Sequence, residues 1–307
     1  MYPVLFQIAG FQIRTYSLML LLAFVVGILL LWLILKRRTL IDPAVVSDLA
    51  FWVIIGVVIG ARLAYVFMHW PQFSKDPASI FRIWEGGAVY FGGFILGFLS
   101  GGFYLFYYWY KRTPQPSFKG FIAFLTSVLD IIAPAVALGE GIGRIGCFLN
   151  GCCFGKPTDV CGVTFPANSF ASSIFGPDHS IWPTQLFQSG GGVLLFVALL
   201  LLMRFVRLRK GQLFAIFLAG FGAFRFGVNL LRYYENNFNL WTNQWIAISL
   251  VVVGVGLAVF FGFTQEKVST PQWIAAERKR IEEAKRKKET KEAKRGKRYR
   301  KPKKSRG

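Results

Sequence analysis

At 307 residues, with 54% of them hydrophobic, 17% aromatic and a mean hydropathy of +0.46, the chain is too apolar for an ordinary soluble enzyme and has the composition of a polytopic membrane protein. Its formal charge of +21 does not argue against that class, because residues 266–307 hold 18 Lys/Arg against 6 Asp/Glu, a net +12 that need not fold with the rest. Four cysteines, all between 147 and 161, are too few for a disulfide framework.

Residues 1–14 lack the basic start of a signal peptide, and the first apolar run, Tyr16 to Leu35, is long enough to span a bilayer at about 1.5 Å per residue. Lys36, Arg37 and Arg38 follow it, so the positive-inside rule puts the N-terminus outside and this end in the cytoplasm. A second span, Leu49 to Met68, contains Arg62 and leads to an outer excursion, residues 69–87, marked by Trp70, Pro71, Pro77 and Trp84. Span three, Ala88 to Tyr110, ends at Lys111 and Arg112, and span four, Phe118 to Leu138, leads outward. A glycine-rich stretch and a second outer loop occupy 143–183. Span five, Gln185 to Phe205, ends at Arg207, Arg209 and Lys210; span six is Leu213 to Leu231 and span seven Trp241 to Phe263. The expectation is therefore an all-α membrane domain over 1–264 with seven transmembrane helices, N-terminus out and C-terminus cytoplasmic, followed by a basic cytoplasmic tail, 265–307. Small residues at Gly56, Gly60 and Ala64, and at Gly93, Gly97 and Gly101, predict close helix packing.

The chemistry concentrates in DIIAPAVALGEGIGRIGCFLNGCCFG, 130–155. Each glycine costs about 1 kcal/mol against alanine in a helix, so their density predicts close backbone approach or left-handed turns. Gly141, Gly143 and Gly146 spell the dinucleotide fingerprint G-x-G-x-x-G, which is rejected because that motif needs a strand and a soluble βαβ unit around it. Asp130, Glu140, Arg144 and Asn150 are polar groups at membrane depth, where charge usually faces a cavity or a partner. Arg225, Asn229 and Arg232 recur at i, i+4 and i+7 in span six and should share a face. Guanidiniums converging at one depth suit a phosphodiester; the alternative is that each arginine snorkels separately to the interface. Arg62 has two readings, a structural ion pair with Asp130 or Glu140 and a role in binding.

Cys147, Cys152, Cys153 and Cys161 form C-x4-C-C-x7-C, which fits no common zinc spacing, so no metal is expected in the site; a disulfide from Cys161 to Cys152 or Cys153, inert buried thiols and, as the least favoured, a metal site are the three readings of the cysteines. His69 and His179 fall in outer segments and read as incidental. The tail suits anionic lipid at the inner leaflet, at about 1 kcal/mol per basic residue near the surface; nucleic acid is not expected as a partner.

Taken together, IRTYSLM at 13–19, GARLAYV at 60–66, FRIWEGGAVYFGGFILG at 81–97, GRIGCFLNGCCFGKPTD at 143–159, WPTQLFQ at 182–188 and GAFRFGVNLLR at 222–232 resemble, in order, the bacterial prolipoprotein diacylglyceryl transferase family. That resemblance implies transfer of the diacylglyceryl group of phosphatidylglycerol to the lipobox cysteine thiol of a prolipoprotein signal peptide, at the outer face of the cytoplasmic (inner) membrane and without metal or cofactor. It implies that Arg144 and Arg225 are catalytic and bind phosphate, that Asn150 and Gly155 form the signature loop, and that Tyr16 is a hydrogen-bonding group. Asn229 and Arg62 complete the expected lipid-binding set. The chain departs from the family pattern at Phe91, where histidine or sometimes tyrosine is usual, and at Trp182, Gln188 and Asn229, where histidine, glutamate and glutamate are usual. Those losses leave a second reading open, a divergent member that binds phosphatidylglycerol or lipoprotein precursors without this reaction or with another acceptor. A third, a membrane anchor for the tail, predicts loss of function on truncation after Phe263.

Overall fold

The computed structural model describes residues 4–8, 11–38, 42, 44–74, 76–82, 86–113, 116–167 and 169–264. The basic tail lies outside the described residues, as do Trp84 and Glu85 of the first outer excursion. A short hairpin, β1 (Val4–Ile8) and β2 (Phe11–Arg14), precedes helix α1 (Thr15–Arg38). Then come α2 (Ala44–Met68), the single turn α3 (Trp70–Phe73), a 3-10 turn at Pro77–Phe81, α4 (Tyr90–Arg112) and α5 (Phe118–Asn150). A small cap follows, made of β3 (Val163–Thr164), α6 (Phe170–Phe175) and β4 (Ser180–Ile181), before α7 (Thr184–Phe205), α8 (Gln212–Leu231) and α9 (Asn237–Thr264).

Seven of these helices, α1, α2, α4, α5, α7, α8 and α9, are long and apolar enough to cross a membrane. Their large side chains, Leu21, Phe67, Phe98 and Val252 among them, stand exposed, as bilayer-facing surfaces require. The expected all-α, seven-span architecture is therefore present. The fourth span is the difference: α5 does not stop at Leu138 but runs 33 residues to Asn150, so residues 143–150, expected in the outer loop, are helical. At 1.5 Å per residue it is about 50 Å long against a hydrocarbon core of about 30 Å, which carries its last turns beyond the core.

Glycine makes that continuation possible by packing. A Cβ on Gly141 would sit 3.1 Å from the Ser189 carbonyl of α7, and one on Gly146 would sit 2.9 Å from Met19 Cβ of α1. Among the glycines of 130–155 the left-handed conformation appears at Gly151, φ 74°, which ends the helix with its amide donating to Phe148 O at 3.1 Å, and Cys153 two residues on adopts it too, φ 63°. The small-residue stripes of α2 and α4 also meet as expected: Gly60 lies against Gly92, and Gly93 against Val57 and Ala61.

Buried Asp130 does not pair with Arg62. Its two carboxylate oxygens accept from Gly211 N at 2.7 Å and Phe214 N at 2.8 Å, so it caps the start of α8, where unpaired amides and the helix dipole favour an anion. Beyond α5, residues 151–167 and 169–183 of the expected outer loop form a compact cap around buried Phe154, Phe165, Ala171 and Ile181.

Candidate functional site

The end of α5 carries Glu140, Arg144 and Cys147 on one face, three and four residues apart. Arg144 Nε donates to Glu140 Oε1 at 2.7 Å, and Gln188 Nε2 from α7 donates to the same oxygen at 3.2 Å. The Arg144 side chain is 15% exposed and the Glu140 side chain 27%. Glu140 therefore orients the guanidinium, while both terminal nitrogens of Arg144 make no hydrogen bond among the described residues.

Arg225 enters from α8. One terminal nitrogen donates to Asn243 Oδ1 at 3.2 Å, leaving Nε and the other terminal nitrogen unengaged among the described residues. One turn on, buried Asn229 donates to Asn243 O and to Gln244 Oε1, both at 3.3 Å, and accepts from the Tyr234 hydroxyl at 2.9 Å. Asn229 is thus held within a closed network that orients the α8–α9 pair. Asn243, Gln244 and Tyr234 were not singled out in the sequence; the available signal was a polar pair in the first turns of an otherwise apolar span.

Arg232 does not continue the α8 face. The helix ends at Leu231, and Arg232 is extended, φ −76° and ψ 145°, with its backbone bridged to Gly155. Gly155 N donates to Trp182 O at 2.9 Å and Lys156 N to Leu231 O at 2.8 Å, while Tyr233 N donates to Phe154 O at 3.1 Å. The turn after α5 is thereby threaded between the end of α8 and the start of α7. A Cβ on Gly155 would lie 2.8 Å from both Leu231 O and Trp182 O, so only glycine lets the three segments approach.

Arg225 lies within the electrostatic reach of Arg144 and Arg232, with Tyr234 and Glu140 also acting on it. Burial pushes the Tyr234 phenol above its usual range, so at neutral pH it is a neutral donor rather than a base. Tyr16, at the start of α1, lies within the field of Arg144 and of Cys147, Cys152 and Cys153. Asn150 is exposed at the last residue of α5, its side chain against the Cys152 sulfur.

Arg62 forms no ion pair with Asp130 or Glu140 among the described residues. Its guanidinium donates to the carbonyls of Ile80 at 2.9 Å, Gly86 at 2.6 Å, Ser79 at 2.6 Å and Arg82 at 3.2 Å, with Gly87 O at 3.3 Å. A guanidinium has five N–H donors. Those of Arg62 are engaged by carbonyls of residues 79–82 and 86–87. His69 stacks on Tyr65, with centroids 4.2 Å apart, and engages Tyr65 O at 3.0 Å, as an incidental histidine would. Phe91 is 72% exposed and offers no polar atom.

The four cysteines are free thiols, which corrects the disulfide reading. Cys161 is exposed and stands apart, whereas the sulfurs of Cys147, Cys152 and Cys153 all lie within 4.8 Å of one another. Hydrogen bonds from Cys147 and Cys152 pull the Cys153 thiol well below its usual range despite burial, with Arg232 and Arg144 adding to the effect. The linear spacing concealed this cluster because the left-handed turn at Gly151 folds Cys152 back, its amide donating to Cys147 O at 3.1 Å.

The family described as prolipoprotein diacylglyceryl transferase matches residues 3–260. Proteins named phosphatidylglycerol–prolipoprotein diacylglyceryl transferase are similar over nearly their whole length. The one from Pseudoalteromonas atlantica is 35% identical over 270 residues, covering 84% of this chain and 88% of its own. The one from Pseudomonas putida is 33% identical over 285 residues, 88% and 97% respectively, and that from Parasynechococcus marenigrum is 35% identical over 235 residues, 75% and 80%.

Proposed function

We infer the work of the arginine cluster from one premise: the chain belongs to the prolipoprotein diacylglyceryl transferase family. It is a multi-pass membrane transferase that moves the diacylglyceryl group of phosphatidylglycerol onto prolipoproteins, the first step of lipoprotein modification. The reaction takes place at the loop end of the bundle, in the outer leaflet of the bacterial cytoplasmic membrane. The basic ends at Lys36, Lys111, Arg112, Arg207 and Lys210 support that orientation.

Arg144 and Arg225 hold the phosphodiester with their unengaged nitrogens, and Arg232 adds charge from the extended segment after α8. The lipobox cysteine thiolate attacks the terminal glyceryl carbon of the diacylglyceryl moiety. A carbon–sulfur bond forms, the carbon–oxygen bond to phosphate breaks, and glycerol phosphate leaves with the electron pair. The thiol proton leaves with the phosphate or to solvent, so the exchange balances. Negative charge on phosphate rises as the leaving group departs, and fixed guanidiniums stabilise it more in the transition state than in the bound lipid. The observation that carries this reading is the convergence of Arg144 and Arg225 from α5 and α8 with donors to spare, the positive charges exceeding the single carboxylate, Glu140, beside them. Asn150 and Gly155 act by holding the turn, and Tyr16 borders the entry from α1.

Complementation of a strain depleted of its own transferase tests the activity, and transfer of labelled diacylglyceryl to a lipobox peptide tests the residues. Growth with the wild type and none with Arg144→Ala is expected. A well-expressed protein that binds phosphatidylglycerol yet transfers nothing would point to the binding-only member instead.

A further inference from the structure

We propose that Cys147, Cys152 and Cys153 form a binding site for one thiophilic d10 cation, Zn2+ or Cu+, at the end of α5. Three thiolates around a four-coordinate zinc lie about 3.8 Å apart at Zn–S distances of about 2.3 Å. The three sulfurs here already lie within 4.8 Å of one another, so closure needs about 1 Å of side-chain movement. Their backbones are fixed independently of any ion: Cys147 in the last helical turn, Cys152 by its amide bond to Cys147 O, and Cys153 by Thr184 Oγ1 donating to its carbonyl at 2.9 Å. Soft sulfur ligands select d10 cations over the hard ions that bind oxygen.

A second observation lies on the same turn. Gln185 Nε2 donates to Cys152 O at 2.7 Å, yet the buried Gln185 Oε1 has no partner, alone among buried polar side-chain atoms of the described residues. A buried acceptor left in that state costs about 1–3 kcal/mol. Three protein ligands leave a fourth position for water, a donor of the kind this acceptor lacks. Charge is balanced by neighbours: three thiolates and a divalent cation sum to one negative charge, in the field of Arg144 and Arg232. Each coordinated thiol gives its proton to solvent, so binding weakens as pH falls. The bound ion would pin the turn that carries Gly155 and its bridge to Arg232.

The full chain, purified in detergent and reduced, is offered Zn2+ or Cu+ separately and then desalted. Metal content, sulfur-to-metal charge-transfer absorption with Co2+, and maleimide labelling by mass spectrometry are read. One ion per chain is expected, with Cys147, Cys152 and Cys153 protected and Cys161 labelled. Cys161→Ser should bind unchanged, and Cys153→Ser or the partly exposed Cys152→Ser should weaken binding about tenfold or more while helix content is retained. Full labelling of all four thiols at saturating metal, or an oxidised pair within the trio in protein purified without reductant, would overturn the site. None of these readouts depends on transferase activity.

Discussion

Arg144 has its Nε committed to Glu140 and two terminal nitrogens without a hydrogen bond among the described residues, so its value in the proposed reaction lies in a fixed fork rather than in charge alone. Arg144→Ala should lower transfer by about 10²-fold or more, the scale for losing one preorganised donor to a developing anion. Arg144→Lys should recover little of it, because an ammonium cannot reproduce the bidentate geometry. The check is a kinetic comparison of the three proteins on one lipobox peptide, with comparable rates for Lys and Arg counting against the fork. At Arg62 the same side chain does different work. Its donors are taken by the carbonyls of Ser79, Ile80, Arg82 and Gly86.

Helices α5 and α8 meet at two heights, and each contact has its own test. At the basic end Asp130 caps α8, and Asp130→Ala should cost about 1–2 kcal/mol of stability, read as a lower unfolding temperature in detergent with transfer kinetics preserved below it. At the loop end Gly155 sits where Leu231 O and Trp182 O leave no room for a Cβ. Gly155→Ala should cost about 1–3 kcal/mol through overpacking and should also lower transfer, because it separates Arg232 from the turn beyond Arg144. Equal loss of activity in both variants at a temperature where both are folded would contradict this division of labour.

The whole molecule presents one basic end and one capped end. If the cap faces outward, exposed Cys161 should react with a membrane-impermeant maleimide in intact spheroplasts, whereas a cysteine placed in the 206–211 connection should react only after lysis. Truncation after Phe263 should leave complementation intact, since residues 3–260 carry the family match. Loss of function on truncation would favour the tail as the working part of the protein.

Seven apolar runs and the basic residues that punctuate them made the spans legible, because the bilayer imposes a length and a composition on any segment that crosses it. The motif residues pointed to Arg144 and Arg225 as the expected phosphate ligands. Three things were settled only by tertiary contact. Helix α5 runs through its glycines because α1 and α7 press against Gly146 and Gly141, a neighbour effect that propensity, being local, cannot contain. The partners of Asp130 and Arg62 are backbone groups of distant segments, and backbone groups carry no sequence signature. The thiol cluster depends on a reversal at Gly151 and Cys153 that brings residues five and six positions apart together, a distance set by left-handed backbone at two residues and not by spacing along the chain.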